Sequence, residues 1–246
     1  MGLTLTVLGS SGSYPGPGLA CSGYLVSCDG THVWVDCGPG TMANLQQHVA
    51  LNDVSAIVTS HAHADHWIEL TVAHVAFEHY LDISDVPVFG TAEVRERLEV
   101  ARGSKVTPTF DWQTITDGST FEVGGMRFTC AETDHPVETL AIRVDDMAGS
   151  RSLVYSADTG SEWSLAALGG DIDVALCEAT LSEDQAGTFE HLTAREAGEA
   201  ARAVGADRLV ITHLAFGMDV DVVRRQAAEA FGKDVAVATP HMKIEI

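Results

Sequence analysis

With 246 residues, 46% of them hydrophobic, the chain can bury a large core in a single α/β or sandwich domain. Its 35 acidic against 14 basic residues leave a formal charge of −21, and with only three lysines this argues against a broad basic face of the kind that grips large nucleic acids. No run approaches 18 consecutive apolar residues, and residues 1–8 alternate like a strand and not like a secretory leader, which argues against a membrane partner and for a cytoplasmic location.

In chain order, a strand-like run over 3–8 leads into a Gly/Pro-rich stretch, 9–18, too near the N-terminus to be a hinge. Strands over 23–27 and 31–36 follow, then helical spacing over 41–48, a β-branched apolar run over 54–59, helical spacing over 68–80, a strand over 86–89 and helical spacing over 92–101. The second half holds strands over 121–123, 126–131, 140–144, 152–156, 173–177 and 208–212, with helices over 194–204 and 220–230. The helix over 194–204 has the sharpest ends, because Thr193 and Glu196 form a capping box and Gly205 can stop it. No linker or internal period divides the chain, so residues 1–246 are expected as one domain. The five cysteines, Cys21, Cys28, Cys37, Cys130 and Cys177, lack C-x-x-C spacing and read as reduced core thiols.

The densest chemistry lies in His61-Ala62-His63-Ala64-Asp65-His66, where the apolar run over 54–59 ends. In an extended turn His61 and His63, two apart, point the same way, while Asp65 and His66 turn toward a neighbouring position, so one loop can feed two metals. A merely solvated polar loop would not need four metal-binding side chains in six residues. Imidazole and carboxylate donors suit Zn²⁺ and would also accept Mn²⁺ or Fe²⁺. Further segments repeat the pattern of a strand ending in a potential ligand: Thr133-Asp134-His135, Ala157-Asp158-Thr159 and Thr212-His213-Leu214, with Glu190-His191 standing before a helix. Such placement gathers distant residues at one rim of a scaffold. His32, His48, His74, His79 and His241 fit none of these contexts and read as structural or solvated.

On these residues the chain resembles the metallo-β-lactamase superfamily and, within it, the ribonuclease Z-like phosphodiesterases. The resemblance runs from Leu8-Gly9-Ser10-Ser11-Gly12 to the terminal strand and implies a four-layer αββα sandwich. It implies His61, His63 and His135 as ligands of one metal, Asp65, His66 and His213 as ligands of a second, and Asp158 as the bridge, where an exported β-lactamase of this fold has Cys. Cys177-Glu178-Ala179-Thr180 followed by His191-Leu192-Thr193-Ala194-Arg195-Glu196-Ala197 is similar to the ribonuclease Z pattern HEAT…HSTAREA, in which Glu and His pair beside the scissile phosphate.

Two departures separate the chain from tRNA processing. It has no long Gly/Pro-rich tRNA-binding arm between Glu138 and Asp158 or between Asp158 and Glu178, and Leu214-Ala215-Phe216-Gly217 stands where Ser-x-Arg-Tyr is common. An arm-free chain resembles the small bacterial phosphodiesterases of this group, some of which act on cyclic nucleotides.

The resemblance therefore implies a dinuclear hydrolase that cleaves a small-molecule phosphodiester with a metal-bridging hydroxide, in a family where homodimers are common. Asp65 is expected to orient the nucleophile and take its proton, and His191, backed by Glu178, to act on the phosphate or the leaving oxygen. Asp36 matches a position that supports a metal-ligating His. A lactonase or glyoxalase II-like ester hydrolase, a ribonuclease Z-type endonuclease and a metal-binding scaffold without turnover are the competing readings.

Overall fold

The computed structural model describes residues 2–149 and 151–246. Its strands are β1 (Thr4–Gly9), β2 (Gly23–Cys28), β3 (Thr31–Val35), β4 (Ala56–Val58), β5 (Val86–Gly90), β6 (Phe110–Thr114), β7 (Thr120–Val123), β8 (Met126–Glu132), β9 (Leu140–Asp146), β10 (Ser152–Tyr155), β11 (Val174–Glu178), β12 (Arg208–Thr212), β13 (Val235–Val237) and β14 (Lys243–Glu245). They form two seven-stranded mixed sheets, β14-β1-β2-β3-β4-β5-β6 and β13-β12-β11-β10-β9-β8-β7. The helices are α1 (Thr41–Leu45), α2 (Ala64–Trp67), α3 (Leu70–Val75), α4 (Ala92–Arg102), α5 (Ala194–Ala203) and α6 (Val220–Phe231).

Period-two alternation builds the layers. In β3, Val33 and Val35 enter the core between the sheets while Trp34 faces outward; in β12, Val210 points inward and Leu209 and Ile211 outward. Both faces of these strands are apolar because helices cover the outer one. Leu45, Trp67, Leu70, Val94 and Leu98, from α1 to α4, pack on the outside of the first sheet. Ala194, Ala197 and Ala201 of α5, with Val223, Ala227 and Phe231 of α6, pack on the outside of the second. The result is the four-layer αββα sandwich. All five cysteines are buried and free, and among the described residues no helix is long and apolar enough to cross a membrane.

Strand direction sets where the chemistry falls. Strands β3 and β4 are parallel, as are β10, β11 and β12, and β8 runs in the same direction as β10 because both are antiparallel to β9. The loops carrying Asp36, His61 to His66, His135, Asp158, Thr180 and His213 thus leave the C-terminal ends of these strands, where mixed α/β sheets present their sites.

Some elements differ from the sequence expectation. The helix expected over 68–80 is α-helical only over Leu70–Val75 and continues as a π-helical segment, Ala76–Leu81. Asp65 and His66 lie on one turn of helix, α2, and not in an extended turn, since Ile68 N and His66 N donate back to the carbonyls of Ala64 and His63. Strands β6 and β13 were not anticipated: β6 is a half-polar edge strand with Asp111, Gln113 and Thr114 exposed, and β13 is three residues long.

Candidate metal centre

The seven expected ligands meet in one place. Nitrogen or oxygen atoms of His61, His63, His135 and Asp158 lie within 4.8 Å of one another, and those of Asp65, His66 and His213 form a second such group. Asp158 stands between them with its oxygens divided. Oδ2 is 3.5 Å from His61 Nε2 and 3.9 Å from His135 Nε2, whereas Oδ1 is 3.4 Å from His66 Nε2 and 3.5 Å from His213 Nε2. Asp65 Oδ2 closes the second group at 3.2 Å from His213 Nε2.

Tautomers decide whether this is a hydrogen-bonded knot or a cation site. His66 Nδ1 contacts Asp36 Oδ2 at 2.8 Å, and His135 Nδ1 contacts the Glu190 carbonyl at 3.0 Å; both acceptors require the proton on Nδ1. In the neutral rings Nε2 then carries a lone pair. Yet His66 Nε2 faces His213 Nε2 at 3.1 Å, and His135 Nε2 faces His63 Nδ1 at 3.1 Å. Such nitrogen-to-nitrogen approaches are held by a proton shared between the rings or by a cation beside both. His61 Nε2 and Asp158 Oδ1 are, in addition, buried with no hydrogen-bond partner, a cost that coordination would remove. The donor set therefore fits divalent cations on either side of Asp158.

The two groups differ in charge. Burial drives the His61, His63 and His135 rings below the usual histidine range. Burial also opposes charge on His66 and His213, but Asp158 and Asp65, joined at His66 by Asp36, outweigh it and raise both rings. At Asp158, burial disfavours ionisation, and the charges of His213, His66 and His61 prevail, holding its carboxyl well below the usual range. At Asp65 burial and the charge of Asp158 oppose ionisation, but the charge of His66 and the contact and charge of His213 outweigh them and lower it.

Supporting contacts come from both sheets. Asp36, fully buried after β3, accepts from Ser60 N, Ser60 Oγ and Tyr155 Oη at 2.8–2.9 Å besides His66, as carboxylates behind metal-bound histidines do. Ser13 N donates to Asp65 Oδ2 at 2.8 Å. Gly12 lies so close to the His213 ring that a Cβ there would stand 3.0 Å from Nδ1. Ser13, Asp36, Ala157 and His213 all have φ between 50° and 63°, left-handed backbone that non-glycine residues hold only where surroundings enforce it.

Beside the cluster, His191 Nδ1 contacts Glu178 Oε1 at 2.8 Å, leaving Nε2 for the cleft. Its ring lies 5.2 Å from that of His135 and 5.7 Å from that of His213. Burial opposes its protonation, but the hydrogen bond and charge of Glu178 raise it to about 8. Glu178 is fully buried. The histidines expected to stand apart do so: His74 donates to the Val106 carbonyl, His79 is exposed, His32 contacts Ser27, and His48 and His241 contact each other. Sequence reasoning missed Ser13, Ser60, Tyr155 and Thr180 as supports; the only local signal is that each lies within two residues of a strand end or in a Gly/Ser turn.

Comparison with known proteins settles the family. The sequence model of the β-lactamase superfamily domain matches residues 31–214, more than half of the chain. The chain belongs to the β-lactamase superfamily. This superfamily member is 30% identical over 248 residues to YhfI of Bacillus subtilis, described as a probable metallo-hydrolase, with 96% of this chain and 97% of YhfI covered. The crystal structure of YhfI superposes with a TM-score of 0.91, at 26% identity and complete coverage of both chains. Ribonuclease Z of Methanopyrus kandleri is 26% identical over 266 residues, covering 93% of each protein. A diphosphatase from the PhnP family, at 19% identity and TM-score 0.78 over 99% of this chain and 98% of that one, shares the fold. The protein is thus a metallo-hydrolase of the metallo-β-lactamase type.

Proposed function

We propose that the protein is a dinuclear zinc phosphodiesterase that cleaves a small nucleotide diester, such as a 3′,5′-cyclic nucleotide, in the cytoplasm. The observation that carries the reading is the His191–Glu178 pair beside the cluster, a protonated imidazole held where an anionic phosphate would lie. All seven ligand side chains offer nitrogen or oxygen donors, which favours Zn²⁺ and admits Mn²⁺ or Fe²⁺. Two divalent cations held there would supply positive charge to the phosphoryl oxygens and a water acidic enough to attack near neutral pH.

The chain's own residues do the rest. Asp158 fixes the separation of the two ligand groups. Asp65 Oδ2 accepts from Ser13 N and faces the cluster beside His213 Nε2, which leaves Oδ1 to take a proton from the attacking water. His191 donates through Nε2 to a phosphoryl oxygen or to the leaving oxygen, while Glu178 holds its ring in register. A cavity of about 360 Å³ opens at this point, lined by His63, His135 and His191 on one side and by Pro136, Leu181 and Phe189 as an apolar wall. Among the described residues no lysine or arginine lines it. A diester with a single charge and one flat organic group fits those walls, whereas a polynucleotide would find no partner for its flanking phosphates.

Metal-loaded protein assayed on bis-p-nitrophenyl phosphate, cyclic AMP, S-lactoylglutathione and a lactone tests the proposal. Turnover of the two phosphodiesters is expected. Turnover confined to the thioester and the lactone would replace this reading with that of a carboxylic ester hydrolase.

A further inference from the structure

Thr180 stands at the joint between the metal cluster and the His191–Glu178 pair. Its Oγ1 is 2.7 Å from Glu178 Oε2 and 2.7 Å from His213 Nδ1, with the His213 carbonyl at 3.0 Å. The hydroxyl has one proton for these three neighbours. Glu178, fully buried, offers a carboxylate that can only accept, and the charge-assisted bond to it outcompetes the neutral carbonyl. The Thr180 proton therefore goes to Glu178, and the oxygen's lone pair faces His213 Nδ1. For Nε2 of His213 to face the cluster as a lone pair, Nδ1 must carry the ring proton, and Thr180 Oγ1 is the acceptor that the geometry provides.

We infer that Thr180 is a positioning residue that locks His213 in its metal-ligating tautomer and passes the charge of Glu178 to that ring. The inference rests on the cluster binding cations and is independent of which ester is cleaved. Three features support it. Glu178 Oε1 also accepts from Thr159 N at 2.8 Å, next to Asp158, so one carboxylate orients the bridge, the His213 ligand and His191 together. Among the described residues His213 has no other side-chain acceptor at Nδ1, in contrast to His66, which has Asp36 directly. And His213 sits at φ 55°, a conformation that must be held from outside. A cation bound by His213, Asp65 and His66 would thus depend on a hydroxyl relay, whereas one bound by His61, His63 and His135 would not.

The test is a competition titration of zinc into cation-free protein against a chromophoric chelator, with Thr180→Val and Thr180→Ser beside wild type. Support of metal-bound histidines is typically worth 10- to 100-fold in affinity. Thr180→Val is expected to weaken one of two zinc sites by that factor and leave the other within twofold, and Thr180→Ser to restore it. Equal affinities in Val and wild type would overturn the inference. So would equal weakening of both sites together with a lower melting temperature of the cation-free variant, the signature of general loosening. Should Thr180→Val fail to fold, nitrogen-15 histidine spectra of zinc-loaded wild type decide the matter: His213 is expected with its proton on Nδ1, and a proton on Nε2 would refute the relay.

Discussion

His191 and Asp65 divide the proton traffic in the proposed reaction, and each can be removed without touching the other. Asp65→Asn keeps the shape but loses a base, and His191→Ala removes the donor to phosphate. Each is expected to lower kcat at least about 100-fold, the scale of a positioned acid or base, with zinc content of His191→Ala unchanged by elemental analysis. Wild-type turnover in either variant would remove that residue's role. The pH profile carries a sign. His191 works protonated, so activity falls as pH rises through its pKa, held up at about 8 by Glu178; adjacent cations push it down, so the alkaline limb belongs at or below that value. The residues legible in the sequence were those that end a strand with a histidine or carboxylate, because strand ends announce themselves through apolar runs. Of their supports, Asp36 and Glu178, which also end strands, were indicated by the resemblance, and the others were not. Tyr155 reaches Asp36 across 119 positions and Ser13 reaches Asp65 across 52, and nothing local in a tyrosine or a serine encodes such a partner.

At the scale of elements, the pairing of α5 with α6 depends on the absence of a side chain. Gly198 lies in the middle of α5, where alanine would ordinarily favour the helix by about 0.8–1.0 kcal/mol. A Cβ there would stand 2.5 Å from the Ala227 carbonyl oxygen and 2.9 Å from Ala230 Cβ, both on α6. Backbone cannot yield as a flexible side chain does, and overpacking of this kind costs about 1–3 kcal/mol. Clash therefore exceeds propensity, and Gly198→Ala is expected to destabilise by about 1 kcal/mol, a fall of roughly 2–4 °C in melting temperature. A higher melting temperature would show that the helices can part at no cost. The ends of α5 were readable beforehand, since Thr193 and Glu196 do form the reciprocal capping box, with Glu196 Oε2 accepting from Thr193 N at 2.8 Å. The π-helical turn after α3 was not, because apolar spacing over 68–80 reads as one continuous helix; within that turn Phe77 is buried with Leu70, Leu98 and Phe110 on the outside of the first sheet.

Charge acts on the whole molecule. Even if each of the 14 basic residues neutralised one acidic residue, 35 − 14 = 21 carboxylates would remain unmatched. Surface pairs such as Arg97–Glu93 and Lys105–Glu99 exist, but exposed pairs contribute about 0–1 kcal/mol each and weaken with salt. Added salt therefore has two opposed effects, loss of these few attractions and relief of a much larger number of repulsions. The second dominates at this net charge. The Debye length falls from about 30 Å at 0.01 M to about 10 Å at 0.1 M, so charges tens of ångströms apart repel in the first case and are largely screened from one another in the second. Zinc-loaded protein melted by calorimetry in about 0.01 M and 0.3 M NaCl is expected to gain at least about 2 °C at the higher salt, near 1 kcal/mol for a chain of this length. The same gain in KCl would mark it as screening and not ion-specific binding. A melting temperature that stayed level or fell would mean that the acidic residues are spaced too widely to repel, and that the excess negative charge does not act as one field keeping polynucleotides from the cleft.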